Sequence, residues 1–403
     1  MNIGILSYHS AYNFGANLQV LSTYEYLKKT GFTPIVINWV PYDFENRYNN
    51  NTSKEQANAH KQFINDYFKL SDICRNAKEI AACIEKFNIQ GVVIGSDSLF
   101  NIQKSSFNYR KLKSIKPTTD HTFPNPFWGE FLKFIDVPIA GLSISSQNAN
   151  YLSFGKEKNL IKKHIQYFSH LSVRDDWTQN MIKYFTDSSI CPPITPDPVF
   201  CIDKNMPLKI TKEEILRRFN LPKNYILLSF TGGIRDSLNT RWVREFVQLS
   251  KNNNIGCAQL PRTSGGQDLG LEYNINRPLS PIDWYYLIKY SKGYVGVLMH
   301  PIVVALHNCV PFFSFDHYGI RNGISIDKTS SKTYHIVRKS GFLNNYFSLD
   351  YFKKKPTASS VFEAIKNFDN DRCKEFSLIQ EKECIDNMNR IINSFKLPNM
   401  IVR

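Results

Sequence analysis

The chain has 403 residues, of which 42% are apolar and 21% charged, and a net charge of +15. That length exceeds one ordinary core and the composition is that of soluble globular material, which argues for two domains and against a disordered or fibrous chain. No apolar run approaches the length that spans a bilayer, and no zinc-finger, helix-turn-helix or RNA-recognition spacing accompanies the positive charge, so nucleic acid is not expected as a partner.

In chain order, residues 2–8 are β-branched and apolar and are closed by the turn-like SYHSAYNFG. They read as a first strand and not as a leader, and a cytoplasmic location is expected. From Asn17 the spacing changes: Leu18, Leu21, Tyr24 and Leu27 recur at helical intervals, and the helix stops near Gly31. Residues 33–40 form a second strand. Strand–helix–strand this tight implies a parallel βαβ unit. After the polar stretch NRYNNNTSKEQ, two helical segments lead into the strand GVVIGSD at 91–97. Residues 102–136 are basic, aromatic and irregular, and read as an insertion on the sheet's edge. Residues 137–145 are another strand, and 170–185 read strand, turn, helix. The first domain is expected to span 1–205.

Residues 206–345 repeat the logic. YILLSF at 225–230 is a strand ending in Thr-Gly-Gly, followed by a helix with Trp242, Phe246 and Leu249 on one face. IGCAQL is the next strand, 283–290 a helix and 294–299 a strand. A helix then begins at His300, and VPFFSF is a further strand. Residues 346–403 carry two amphipathic helices able to fold back across the interdomain seam. The expected architecture is α/β: two doubly wound Rossmann-like domains facing a cleft, with ligands at the C-terminal ends of the strands. The eight cysteines show no CxxC pair and read as free thiols in a reducing compartment.

Candidate functional residues sit at those strand ends. The loop Asn13-Phe14-Gly15-Ala16-Asn17 joins the first strand to the first helix. It is either an anion or sugar seat or a tight turn capped by Asn17. Ser96 and Asp97 end a buried strand, where the carboxylate either takes a hydroxyl proton or caps the next segment. Arg174 closes another strand. Its fork suits a carboxylate or phosphate, though Asp175 and Asp176 offer local partners. Arg235 and Arg262 follow strands of the second domain, so arginines from both domains could converge on one anion. His300 lies at a strand-to-helix junction inside an apolar run. There it is either a satisfied core residue or a group whose pKa the helix terminus and a bound anion would tune.

These stretches resemble a known family. ILSYHSAYNFGANLQVLSTYEYLKKTG is similar to the opening of bacterial polysaccharide pyruvyl transferases, which carry Asn-x-Gly-Ala-x-Leu-Gln after the first strand. IGSDSLFN resembles their Gly-Ser-Asp-Gln-x-Trp-Asn segment, LSVRDDWT their Ser-Val-Arg-Glu block and TPDPVF their Asp-Pro strand end. Residues 281–313 resemble their histidine block, so the likeness covers most of 1–315.

The resemblance implies a fold like that of GT-B glycosyltransferases. It also implies transfer of a pyruvyl group from phosphoenolpyruvate, as a cyclic ketal, to a sugar of a surface polysaccharide or its precursor. Phosphoenolpyruvate would be a co-substrate, with no metal and no cofactor, and the acceptor a sugar or a lipid-linked oligosaccharide. The basic surface would allow peripheral association with the inner face of the membrane. By position, His300 matches the family's active-site histidine and Arg174 its donor-holding arginine. Asn13, Gly15, Asn17, Ser96 and Asp97 would face the cleft and the acceptor.

The chain departs from the pattern at Leu298, where relatives carry arginine, and at Pro301, Ser98 and Phe100, which replace glycine, glutamine and tryptophan. Arg262, Arg235 or a lysine would then grip the donor. Two other readings remain open at this point. One is a nucleotide-sugar glycosyltransferase with Asp316 on the ribose. The other is a non-catalytic relative binding a glycan through 102–136.

Overall fold

Short β-branched runs alternating with helices fold this chain around two parallel sheets. The computed structural model describes residues 1–43, 52–108, 112–206, 208–232, 237–322, 325–349 and 353–396; Arg235 lies outside the described residues. The first sheet is built from β1 (Asn2–Leu6), β2 (Thr33–Val36), β3 (Ile89–Asp97), β6 (Ile139–Ile144) and β7 (Phe168–Val173), in the order β2-β1-β3-β6-β7. All four pairings are parallel, and Ile5 stands opposite Val36 on one side and Val93 on the other. β1, β3 and β6 are almost wholly buried, as a parallel sheet covered on both faces requires.

The second sheet contains β8 (Tyr225–Ser229), β9 (Gly256–Gln259), β10 (Tyr273–Asn274), β11 (Gly293–Gly296), β12 (Phe312–Asp316) and β15 (Tyr346–Ser348). Its order is β10-β9-β8-β11-β12-β15, again parallel throughout. Two antiparallel ribbons stand apart from the sheets: β4 (Ser106–Asn108) with β5 (Lys113–Ile115), and β13 (Ile320–Asn322) with β14 (Ser325–Asp327).

Helix α1 (Phe14–Lys29) begins three residues before the expected Asn17. The reason is that Asn13 is the cap: its Oδ1 accepts from the Gly15 and Ala16 amides. Asn17 is fully buried one turn further in and donates to the His9 carbonyl at 2.7 Å. Nearly every residue of α1 is buried, because the helix lies between the two domains. Phe14 stacks on Trp284 of α8 (Pro281–Lys289) across that seam, with ring centroids 5.5 Å apart. Beside it, Gln56 of α2 (Lys54–Tyr67) makes a two-way bond to the Leu279 backbone, donating at 2.8 Å and accepting at 3.0 Å.

The terminal helix α12 (Asn370–Lys396) also ties the halves together. Its Cys373 and Ser377 donate to the carbonyls that end α9 (Met299–His307), while Asn387 donates to Ser172 and Asn389 accepts from Tyr26 in the first domain. The region expected as an irregular insertion divides in two. Phe127, Trp128 and Phe131 are fully buried, and Phe100 stacks on Trp128 at 3.8 Å, so the second half is a packing arm of the first core and not a wall of the cleft. The described residues of the β4–β5 ribbon are exposed, β5 throughout its length. All eight cysteines are free thiols. Among the described residues no helix is long and apolar enough to cross a membrane.

Candidate active site

Strand order fixes where a ligand can enter. In the first sheet the chain moves outward from β1 to β2 and returns to lay β3 on the other side of β1. In the second it moves from β8 through β9 to β10 and returns to lay β11 beside β8. Each reversal leaves a crevice at the C-terminal strand ends, the place where open α/β sheets bind ligands. The loops after β1, β9, β11 and β12 meet across the interdomain seam, around a cavity of 310 Å³. Asn13, Gly15, Arg262, Trp284, Leu298, His300, Tyr318 and Lys332 are among the residues that line it.

His300 is the second residue of α9, and its ring rests directly on the backbone of Gly15 in the other domain. A Cβ added to Gly15 would lie 2.1 Å from His300 Cγ and 2.3 Å from Nδ1. Glycine is therefore required there by close approach and not by its dihedral freedom. The ring's Nε2 is buried and has no hydrogen-bond partner among the described residues. Burial pushes the imidazole pKa down to about 4, against the pull of the Asp97 and Asp197 carboxylates. The ring is thus neutral at neutral pH while the cavity is empty, and an entering anion would raise its pKa. The first turn of α9 is left without a side-chain cap, since Leu298 precedes it. That terminus favours negative charge, and Pro301, within the first turn, forgoes an amide the helix would not have used.

Lys332 is the cation that the sequence reading did not single out. It opens α10 (Lys332–Ser340), is almost fully buried, and points its ammonium at Asp97 Oδ1, 3.6 Å away, and Ser98 Oγ, 3.0 Å away. Burial lowers its pKa, partly offset by Asp97. Arg262 also lines the cavity and makes no side-chain hydrogen bond or ion pair among the described residues.

Arg174 differs from its expected role. Its guanidinium is buried between two carboxylates, 2.7 Å from Asp197 Oδ2 and 3.4 Å from Asp97 Oδ1, and is not open to a ligand. The partners are these distant aspartates, not the adjacent Asp175 and Asp176: Asp175 caps α5 (Asp176–Phe185) and Asp176 faces His335 and Arg338. Asp197 also accepts from Gln19 at 2.5 Å and caps the turn at Val199. Burial pushes Asp97 upward, but Lys332, His300 and Arg174 outweigh it and hold the carboxyl well below the usual range. Asp97 is therefore a poor base.

Two further expectations need correcting. Ser96 is fully buried and donates to the Ser143 carbonyl at 2.9 Å, and Asn17 is likewise internal, so neither faces the cavity. Asn13 and Gly15 do line it, although the Asn13 side chain is engaged as the α1 cap. Asp316, considered for a ribose, is fully buried. One oxygen accepts from Tyr318 N, and the other from Ser331 at 2.6 Å and Tyr346 at 2.7 Å. Burial raises its pKa to about 6 against those bonds.

A second cavity of 450 Å³ adjoins the first, sharing Pro261 and Arg262, and is lined on its far side by Ser53, Asn274, Asn276 and Arg277.

Comparison with known proteins agrees with this architecture. The chain is similar to the UDP-GlcNAc 2-epimerase from Neisseria meningitidis bound to UDP-GlcNAc, with 12% identity and a TM-score of 0.55 over 99% of this chain and 100% of that one. It is also similar to a glycosyltransferase from Rickettsia africae, with 14% identity and a TM-score of 0.52 over 98% and 97% of the two chains. At such identities the likeness is one of fold, and the fold is GT-B. A search of curated protein sequences finds no match. A family model for polysaccharide pyruvyl transferase matches residues 13–318, from the α1 cap through Asp97, Arg174 and His300 to Tyr318, stopping short of Lys332. The chain belongs to the polysaccharide pyruvyl transferase family.

Proposed function

We propose that the protein moves the pyruvyl group of phosphoenolpyruvate onto two hydroxyls of a sugar acceptor, with His300 as the proton carrier. The observation that carries this reading is the His300 Nε2: buried, without a hydrogen-bond partner among the described residues, on a residue that lines a cavity flanked by Lys332 and Arg262. Phosphoenolpyruvate brings a carboxylate and a phosphate. The two cations and the uncapped start of α9 suit both groups. Lys332 and Arg262 then do from neighbouring loops what relatives do with the arginine that Leu298 replaces.

The chemistry follows from proton placement. The bound anion raises the His300 pKa, and the imidazolium donates to the donor's methylene carbon, making it a methyl group. The adjacent carbon becomes electrophilic and a sugar hydroxyl adds to it, passing its proton back to the now neutral imidazole. The second hydroxyl displaces phosphate and closes the ketal, and its proton leaves with the phosphate. One residue serves as acid and then base, which matches the depressed pKa of Asp97. Asp97 and Arg174 hold Lys332 and the strand ends in position. The acceptor ring fits the adjoining cavity, where the exposed amides of Asn274 and Asn276 suit hydroxyl groups. A nucleotide sugar is disfavoured because Asp316 has both oxygens engaged internally.

Thermal denaturation with added ligands tests the donor. Phosphoenolpyruvate should raise the melting temperature and UDP-sugars should not; the reverse pattern would remove this reading. With a pyruvylated product in hand, His300→Ala should lower turnover by about 10²–10⁴-fold.

A further inference from the structure

We propose that Cys309 and Cys373 are an oxidation site, a thiol pair that a peroxide converts to a reversible disulfide between α9 and α12. Cys309 lies two residues past the end of α9, and Cys373 sits in the first turn of α12. Their thiols are in hydrogen-bonding contact with each other. They also share an anchor: the Leu306 carbonyl accepts from the Cys309 amide at 3.4 Å and from the Cys373 thiol at 3.4 Å.

Packing alone does not account for a cysteine at 309. The Val310 amide donates to the Ala305 carbonyl and the Cys309 amide to that of Leu306, the paired bonds that close a helix in the Schellman form. Cys309 therefore takes a φ of +53°, where glycine is the usual residue. A side chain kept in that backbone conformation, half-buried and against a second thiol, points to reactivity. Two other pairs touch in the same way, Cys74 with Cys83 and Cys201 with Cys384. All four of those residues are at most 4% exposed, so an oxidant reaches the Cys309 pair first.

The two thiols are unequal, which gives the reaction a direction. The hydrogen bond from Cys373, helped by the Lys374 ammonium, holds the Cys309 thiol below its ordinary pKa against burial. The same bond, with burial, pushes Cys373 up. Cys309 is then the nucleophile. Its thiolate attacks one oxygen of hydrogen peroxide, breaks the O–O bond and becomes a sulfenic acid as hydroxide leaves. The Cys373 sulfur attacks that sulfur, the S–O bond breaks, and the departing hydroxide takes the Cys373 proton. Both sulfurs are oxidised, the peroxide is reduced to water, and the two thiol protons end in that water. An added dithiol reverses the step by exchange. The link would join the helix that bears His300 to the helix that ties the two domains together. This inference does not depend on the transfer reaction.

Peptide mapping of the full chain after mild hydrogen peroxide, with remaining thiols alkylated under denaturing conditions, tests it. Cys309 and Cys373 should lose alkylation together and appear in one cross-linked peptide that dithiothreitol resolves. Cys191, exposed on the surface, should stay alkylated at the same dose. Cys309→Gly should abolish the link without lowering the melting temperature, because glycine suits that helix end. Cys373→Ala should leave Cys309 as a sulfenic acid that dimedone traps. Oxidation of Cys191 at the dose that oxidises Cys309 would overturn the proposal. So would a Cys309 that stays fully alkylated, or one that passes to the sulfinic acid with Cys373 still free.

Discussion

The strand ends of the two domains face each other across one cleft, yet their polar groups are satisfied in opposite ways. On the first-domain side Asp97, Arg174 and Asp197 form a closed buried knot, with Lys332 reaching in from the second domain. On the second-domain side His300 Nε2 and the Arg262 guanidinium have no hydrogen-bond partner among the described residues. Both sides carry charge, and both stretches resemble family motifs. Arg174 Nε is also without a partner among the described residues, but Arg174 is enclosed in the knot and does not line the 310 Å³ cavity as His300 and Arg262 do, so the first reads as scaffold and the second as working surface.

The largest effect expected from that contrast is on stability. Arg174→Met would leave Asp97 and Asp197 buried without their shared cation, and breaking such a pair costs about 3–5 kcal/mol. Chemical denaturation should show the loss whether or not donor is present. Next comes Gly15→Ala. Alanine is the better helix former, so a loss there isolates the collision with His300. We expect turnover to fall about a hundredfold with the fold retained, as proton transfer loses its geometry.

Lys332→Met should weaken phosphoenolpyruvate binding about tenfold, measured by calorimetry, while the same change at Arg174 should act mainly through folding. The smallest effect is on acid stability. The His300 pKa is depressed to about 4 from an ordinary 6.5, so its contribution to stability is complete above pH 6.5 and is lost as pH falls from there through 4. His300→Asn should remove part of that acid loss. His60, buried and held to about 4 as well, accounts for another part that persists in the variant.

Much of the architecture was legible because period and length speak directly: buried runs of β-branched residues gave the strands, and helical spacing gave α1 and α9. The start of α1 was misplaced because two asparagines offered themselves as caps and only the backbone geometry decides between them. Asp97 and Arg174 were visible as strand-end charges, but their pairing spans 77 positions and no local pattern reports it. Lys332 was invisible. It sits in a hydroxyl-rich turn, TSSKTY, beyond the reach of the family motifs, and becomes a site residue only when α10 packs against β3. The aromatic insertion stayed ambiguous for a related reason: Phe127 and Trp128 suit a sugar platform and a core equally well, and burial chose the core.

The central claim is that the His300 ring meets the donor in the interdomain cavity, and nitrogen-15 histidine NMR at a series of pH values addresses it directly. With His300→Asn as the assignment control, the ring should titrate near 4 in the free protein, and its pKa should rise when phosphoenolpyruvate is added. A His300 signal that keeps the same titration at saturating phosphoenolpyruvate would contradict the account.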